Sequence, residues 1–115
     1  MTIEEVMTRH GMAIRAGDVD GLLADYTEDS VIMCPGRTAR GLSEIRDVFT
    51  DLFTNLFPPG SSGLEATWRA MDGEYVFVVW KGESERHLFP IGTDTFVVRD
   101  DKIIFQTFVA HAVDK

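Results

Sequence analysis

Apolar residues recur three and four apart in the first half of the chain and alternate singly in the second. Ile3, Val6, Met7, His10, Ala13 and Ile14 form one stripe behind a Thr2/Glu5 capping box, and Gly17 ends it. That spacing predicts a one-faced helix. Asp18 caps a second, shorter helix whose stripe is Val19, Leu22, Leu23 and Tyr26. Thr27-Glu28-Asp29 turns the chain into a short strand over 30–34, followed by a loop over 35–41. Ser43 is positioned to cap the clearest helix, with Ile45, Val48, Phe49, Leu52, Phe53 and Leu56 on its buried side. Pro58 and Pro59 stop that helix, and Gly60-Ser61-Ser62-Gly63 reads as a flexible connection.

From Leu64 onward the pattern is that of antiparallel strands. Asp72-Gly73 marks a tight hairpin between strands at 64–71 and 74–81; Gly82-Glu83-Ser84-Glu85 and Arg99-Asp100-Asp101-Lys102 mark two further turns. The last strand is expected over 103–111. Helices first and strands afterwards give an α+β fold, a curved antiparallel sheet with three N-terminal helices packed on one face. Tyr75-Val76-Phe77-Val78-Val79-Trp80 is apolar on both sides of its strand. One side covers the helices; the other asks for a second cover, most cheaply another copy of the chain, and predicts a homodimer.

The whole of 1–115 is expected to form one domain, since 115 residues bury a sizeable core and no linker or repeat divides them. Nineteen acids against eleven Lys and Arg give a net charge of −8, which argues against nucleic acid or an anionic membrane as partner. No apolar run is long enough to cross a bilayer. The polar start Met1-Thr2-Ile3-Glu4-Glu5 is unlike a secretory signal, and the single Cys34 suits a reducing cytoplasm.

One residue breaks the strand pattern in a chemically informative way. Asp94 shares a face with Phe96 and Val98, where loss of hydration raises a carboxyl pKa and makes a proton donor or acceptor. A strand-end Asp paired with an Arg is the plainer alternative. His10, on the apolar stripe of the first helix, is either a core histidine or a partner of Asp94 in one cavity, with Tyr26 placed to fix its tautomer. Cys34 is read as a buried thiol, because a nucleophile would need a cation or helix N-terminus beside it. Arg37 and Arg40 are either solvated loop charges or a clamp for a substrate carboxylate. Gln106 and Phe108 alternate on one face of the last strand. His87 and His111 lack metal-ligand spacing, so neither a metal nor a cofactor is expected.

Several segments occur together in a familiar order: Ala16-Gly17-Asp18-Val19-Asp20-Gly21-Leu22, Tyr26-Thr27-Glu28-Asp29-Ser30-Val31, Pro35-Gly36, Gly41-Leu42-Ser43-Glu44-Ile45, and Gly92-Thr93-Asp94-Thr95-Phe96 with Lys102-Ile103 and Gln106-Thr107. On these the chain resembles the nuclear-transport-factor-2-like superfamily, which includes ketosteroid isomerase and the SnoaL-like polyketide cyclases. The resemblance implies a cone in which the bent sheet wraps the three helices around an apolar cavity. It places Asp94 at the isomerase's proton-donating acid, an Asp kept neutral by its apolar site so that it donates to an oxyanion. The isomerase's general base falls at Cys34, its oxyanion-hole Tyr at His10 and a supporting Tyr at Phe49. Authentic steroid isomerisation is therefore not expected.

These readings combine into a cofactor-independent enzyme that moves a proton next to a carbonyl of an apolar small molecule. Asp94, His10 and Tyr26 are its catalytic candidates; Ile32, Cys34, Phe49, Phe53, Phe96, Gln106 and Phe108 are expected to line the substrate cavity. The alternative is a non-catalytic dimeric module that binds a hydrophobic ligand or a protein partner.

Overall fold

The computed structural model describes residues 1–58 and 63–115. Pro59 and the expected connection Gly60-Ser61-Ser62 lie outside them. Helix α1 spans Ile3–Ala16, with the Thr2 hydroxyl accepting from Glu5 N–H at 3.1 Å and the Glu5 carboxylate accepting from Thr2 N–H at 3.0 Å. Gly17 takes the left-handed conformation (φ 65°) that closes the helix. Asp18 accepts from Gly21 N–H and caps α2, Val19–Leu23. That helix ends before Tyr26, which sits in the following turn but is still buried.

The stretch 35–41 holds a strand where the sequence suggested a loop. Strand β1, Val31–Cys34, turns through Pro35-Gly36 (φ 75° at Gly36) and returns as β2, Arg37–Arg40, paired antiparallel to it. The four strand positions of β2 carry two arginines and a threonine, so periodicity alone misses them. Helix α3 accordingly starts earlier than Ser43 implies, at Gly41, and runs to Asn55. Ser43 is inside it. Glutamates supply the capping instead: Glu44 accepts from Arg40 N–H at 2.9 Å and Glu28 from Leu42 N–H at 3.2 Å. Gly41 has φ 80°, and a Cβ there would stand 3.1 Å from the Glu28 carbonyl oxygen, so both backbone and space call for glycine.

Strands β3 (Glu65–Asp72), β4 (Tyr75–Glu83), β5 (His87–Arg99) and β6 (Lys102–Asp114) form the antiparallel meander. Strands β4 and β6 run past the expected ends at Lys81 and His111, which shortens the middle turn to Ser84–Arg86. The Asp100-Asp101 turn has φ 52° and 65°, the twist a two-residue hairpin requires. One pairing departs from the antiparallel expectation: β1 lies parallel to β6, with Val31 opposite Phe105 and Met33 opposite Thr107. The sheet order is β2-β1-β6-β5-β4-β3. Register shifts in β3, β4, β5 and β6 bend this sheet, which is curved but not closed.

The core forms where α1 and α3 lie on the concave face. Val6, Leu22, Ile45, Phe49, Ile32, Val76 and Ile103 are sealed from solvent, each contributing about 1.5–3 kcal/mol of transfer free energy. Beneath it lies a charge. Asp25 is fully buried, burial pushes its carboxyl pKa up, and the Arg9 guanidinium at 2.5 Å pulls it back down. Removing the cation leaves that carboxyl unpaired in the interior. Arg9→Met is expected to destabilise the fold by about 3 kcal/mol, read by urea unfolding. An effect below about 1 kcal/mol would show that the pair is not buried in solution.

Candidate functional site

Between α1, α3 and the concave sheet face lies a pocket of about 500 Å³. Its wall is mostly aromatic and aliphatic because it is built from inward positions: Met7, His10 and Ile14 on α1, Phe49 and Phe53 on α3, Phe96 on β5, Phe108 on β6. Of the residues expected to line a cavity, Cys34, Phe49, Phe53, Phe96, Gln106 and Phe108 do line this pocket. Ile32 does not: it is fully buried in the core.

Asp94 stands on the pocket wall with both carboxylate oxygens occupied by neutral donors. The Trp80 indole N–H reaches Oδ1 at 2.9 Å, and the Gln106 amide reaches Oδ2 at 2.8 Å. Strand pairing dictates this. Asp94 lies opposite Val78 and Phe108, so Trp80 and Gln106 are its diagonal neighbours on the same sheet face. No cation takes part. Although some of its surface faces the pocket, loss of water dominates and pushes its pKa up to about 6, the two hydrogen bonds opposing the rise. Tyr26 donates to Gln106 Oε1, extending the chain to a third element, and its own pKa is raised by burial and then by Asp94 and Asp25.

His10 occupies the same pocket without a hydrogen bond to that chain. Only 7% exposed, it packs edge-on against Phe96 at 5.2 Å between ring centres, with Tyr26 and Phe49 rings at 6.3 and 6.4 Å. Burial lowers its pKa to about 4, so it is neutral at pH 7, and its Nδ1 has no hydrogen-bond partner. Tyr26 therefore does not fix the His10 tautomer as expected; its hydroxyl is committed to Gln106. The Cys34 thiol is pushed up by burial, with Arg37 opposing, which leaves it protonated at neutral pH.

Trp80 is the participant that the sequence reading did not single out. Its register partner is Gly92, and the indole lies flat over that glycine: a Cβ at 92 would stand 2.2 Å from two ring carbons. Phe57 and Phe89 hold the indole at centroid distances of 6.0 Å. The available signal was a glycine two residues before a buried acid. Gly92→Ala must displace the indole and weaken its bond to Asp94. The Asp94 pKa is expected to rise above about 6 in that variant and likewise in Trp80→Phe, both followed by carbon-detected NMR titration. An unchanged value in Trp80→Phe would remove Trp80 from the site.

Known proteins share this architecture. A proposed polyketide cyclase of Sinorhizobium meliloti superposes with a TM-score of 0.74 at 18% identity, covering 91% of this chain and 94% of its own. A Catenulispora acidiphila protein with a ketosteroid isomerase-like fold, solved with trimethylamine, gives 0.74 at 15% identity, covering 94% and 86%. A proposed SnoaL-like polyketide cyclase of Shewanella putrefaciens gives 0.75 at 12% identity, covering 96% and 80%. At such identities the likeness establishes the nuclear-transport-factor-2-like fold alone. No protein of curated function matches the sequence. Residues 7–106 match the SnoaL-like domain, and the chain belongs to that family.

Proposed function

We propose that the protein is a cofactor-independent enzyme that moves a proton next to a carbonyl of an apolar small molecule. One observation carries this: a carboxyl with a pKa near 6, held by two neutral donors on the wall of an apolar pocket. At pH 7 such a group is about nine-tenths ionised, so it starts as a base rather than as the donor the resemblance implied. Each oxygen accepts one N–H and keeps further lone-pair capacity toward the pocket. Asp94 takes a proton from the carbon beside the carbonyl, and the electron pair moves onto the carbonyl oxygen. The neutral His10 imidazole donates a hydrogen bond to that oxyanion. Asp94, now protonated, returns the proton to a different carbon, or the enolate carbon attacks a second carbonyl of the same molecule and closes a ring, the C=O opening to an alkoxide that takes the proton back from Asp94. Tyr26, which does not line the pocket, acts through Gln106, which lines it and donates to Asp94.

A second reading, a non-catalytic module for a hydrophobic ligand, is favoured by Cys34, a protonated thiol where the isomerase resemblance puts the base. The two separate cleanly. Wild-type protein is expected to exchange solvent deuterium into enolisable polycyclic ketones, and Asp94→Asn to slow this about a hundred- to ten-thousand-fold. The rate per bound substrate should rise with pH and level off above an inflection near pH 6, because only the ionised form is a base. Equal rates in Asp94→Asn would select the binding module.

In either reading we place the chain in the cytoplasm as a homodimer. The convex sheet face exposes Trp68 and Phe77, in edge contact at 6.0 Å, with Ile91 nearby. Among the described residues no helix is long and apolar enough to cross a membrane, so a bilayer does not account for this apolar face through a helical anchor. Sedimentation equilibrium should return twice 12.9 kDa, and Trp68→Glu with Ile91→Glu should return the single mass. A wild-type monomer would refute the dimer.

A further inference from the structure

We infer that the ligand is an amphipathic carboxylate, whose apolar body fills the pocket and whose acid end lies against Arg15 and Arg69 at its opening. This rests on the reading of the pocket as a small-molecule site and adds the ligand's charge.

Most of the Lys and Arg side chains are already partnered within the fold. Seven of the eleven are engaged: Arg9, Arg37, Arg46, Lys81, Arg99 and Lys115 pair with acids, and Lys102 donates to the Ala24 carbonyl. Among the described residues the side chains of Arg15, Arg40, Arg69 and Arg86 have no such partner. Two of those four, Arg15 and Arg69, line the pocket. The acids that line its outer part are already matched, Asp51 by Arg37 at 2.6 Å and Glu65 by Lys81 at 3.9 Å. A chain of net charge −8 thus places two arginines without an acidic side-chain partner on the wall of its apolar pocket.

Placement supports the same reading. Arg15 ends α1 on the face that carries Gly11 and Ile14 into the pocket, and its guanidinium folds back over Gly11, with Nη1 3.3 Å from where a Cβ would stand. The bare helix backbone at Gly11 makes room for the head group beside the pocket. Arg69 comes from the opposite side. It lies across from Val78, itself a pocket residue, on the inward register of β3. Two planar forks from opposing elements suit a carboxylate, which each can bind through paired hydrogen bonds. The clamp considered for Arg37 and Arg40 therefore moves to other residues: Arg37 is occupied by Asp51, and Arg40 does not line the pocket.

Pyrenebutyric acid and pyrenebutanol test this directly, being flat apolar bodies that differ in the charged end. Titration by fluorescence should show the acid bound about tenfold more tightly than the alcohol. Arg15→Gln with Arg69→Gln should abolish that preference, so that acid and alcohol bind the variant equally. The control Arg40→Gln with Arg86→Gln removes the same charge elsewhere and should keep the preference. Equal affinities in the wild type would overturn the inference, as would a preference that survives in the Arg15/Arg69 variant or vanishes in the control. If neither probe binds, the pocket reading falls as well. Deuterium exchange through Asp94 is a separate readout, so a failure of charge recognition is distinguishable from a failure of chemistry.

Discussion

A chain of side-chain hydrogen bonds runs from the helical half of the molecule across its sheet: Tyr26 to Gln106, Gln106 to Asp94, Asp94 to Trp80. It begins in the turn after α2 and ends on β4, crossing β6 and β5. Each link fixes the next, because an amide has one end to accept and one to donate. With the Tyr26 hydroxyl on its oxygen, Gln106 can present only its N–H to Asp94. The carboxylate is thereby supplied with donors in a dry wall where an unpaired charge would be expelled. The pocket wall can be apolar and still hold a carboxyl for this reason. Loss of any member frees the others to reorient, so the site is a property of the assembled layers.

The chain handles its other buried acid by a different route. Asp25 sits against the Arg9 guanidinium and does not line the pocket that holds Asp94. Asp94 has neutral donors only. The Arg9 guanidinium opposes the rise that burial imposes on the Asp25 pKa, whereas Asp94 has only indole and amide donors to oppose it and is pushed up to about 6. Within one small domain, one acid is met by a cation and the other by neutral donors alone.

Much of this was legible in the sequence, and the exceptions share a cause. The helices α1 and α3, the Asp72-Gly73 and Asp100-Asp101 hairpins and the desolvation of Asp94 follow from local spacing and turn chemistry. What escaped depends on residues distant in the chain. Strand β2 is polar and exists because β1 offers it an edge. The α3 start is set by Glu28, a residue from another segment, rather than by Ser43. Tyr26 faces Gln106, eighty positions away, and not His10. Trp80 meets Asp94 only because the β4–β5 register puts it over Gly92. A one-dimensional pattern predicts which side a residue faces, but not what stands opposite.

The parallel pairing of β1 with β6 has a further consequence, for the order of assembly. Strand β1 finds sheet partners only in β2, which follows it directly, and in β6, about seventy residues later. While the chain is being synthesised, its amino-terminal third can form helices and one short hairpin, but has no sheet to dock upon. The meander β3 to β6 can zip from local turns and need not wait for the helices. Closing the long loop between β1 and β6 is the entropically costly step, and it comes last. Until then Phe49, Phe53 and the concave strand faces stand open to water. The apolar surface that later lines the pocket is, in the nascent chain, the surface most in need of shelter from other chains.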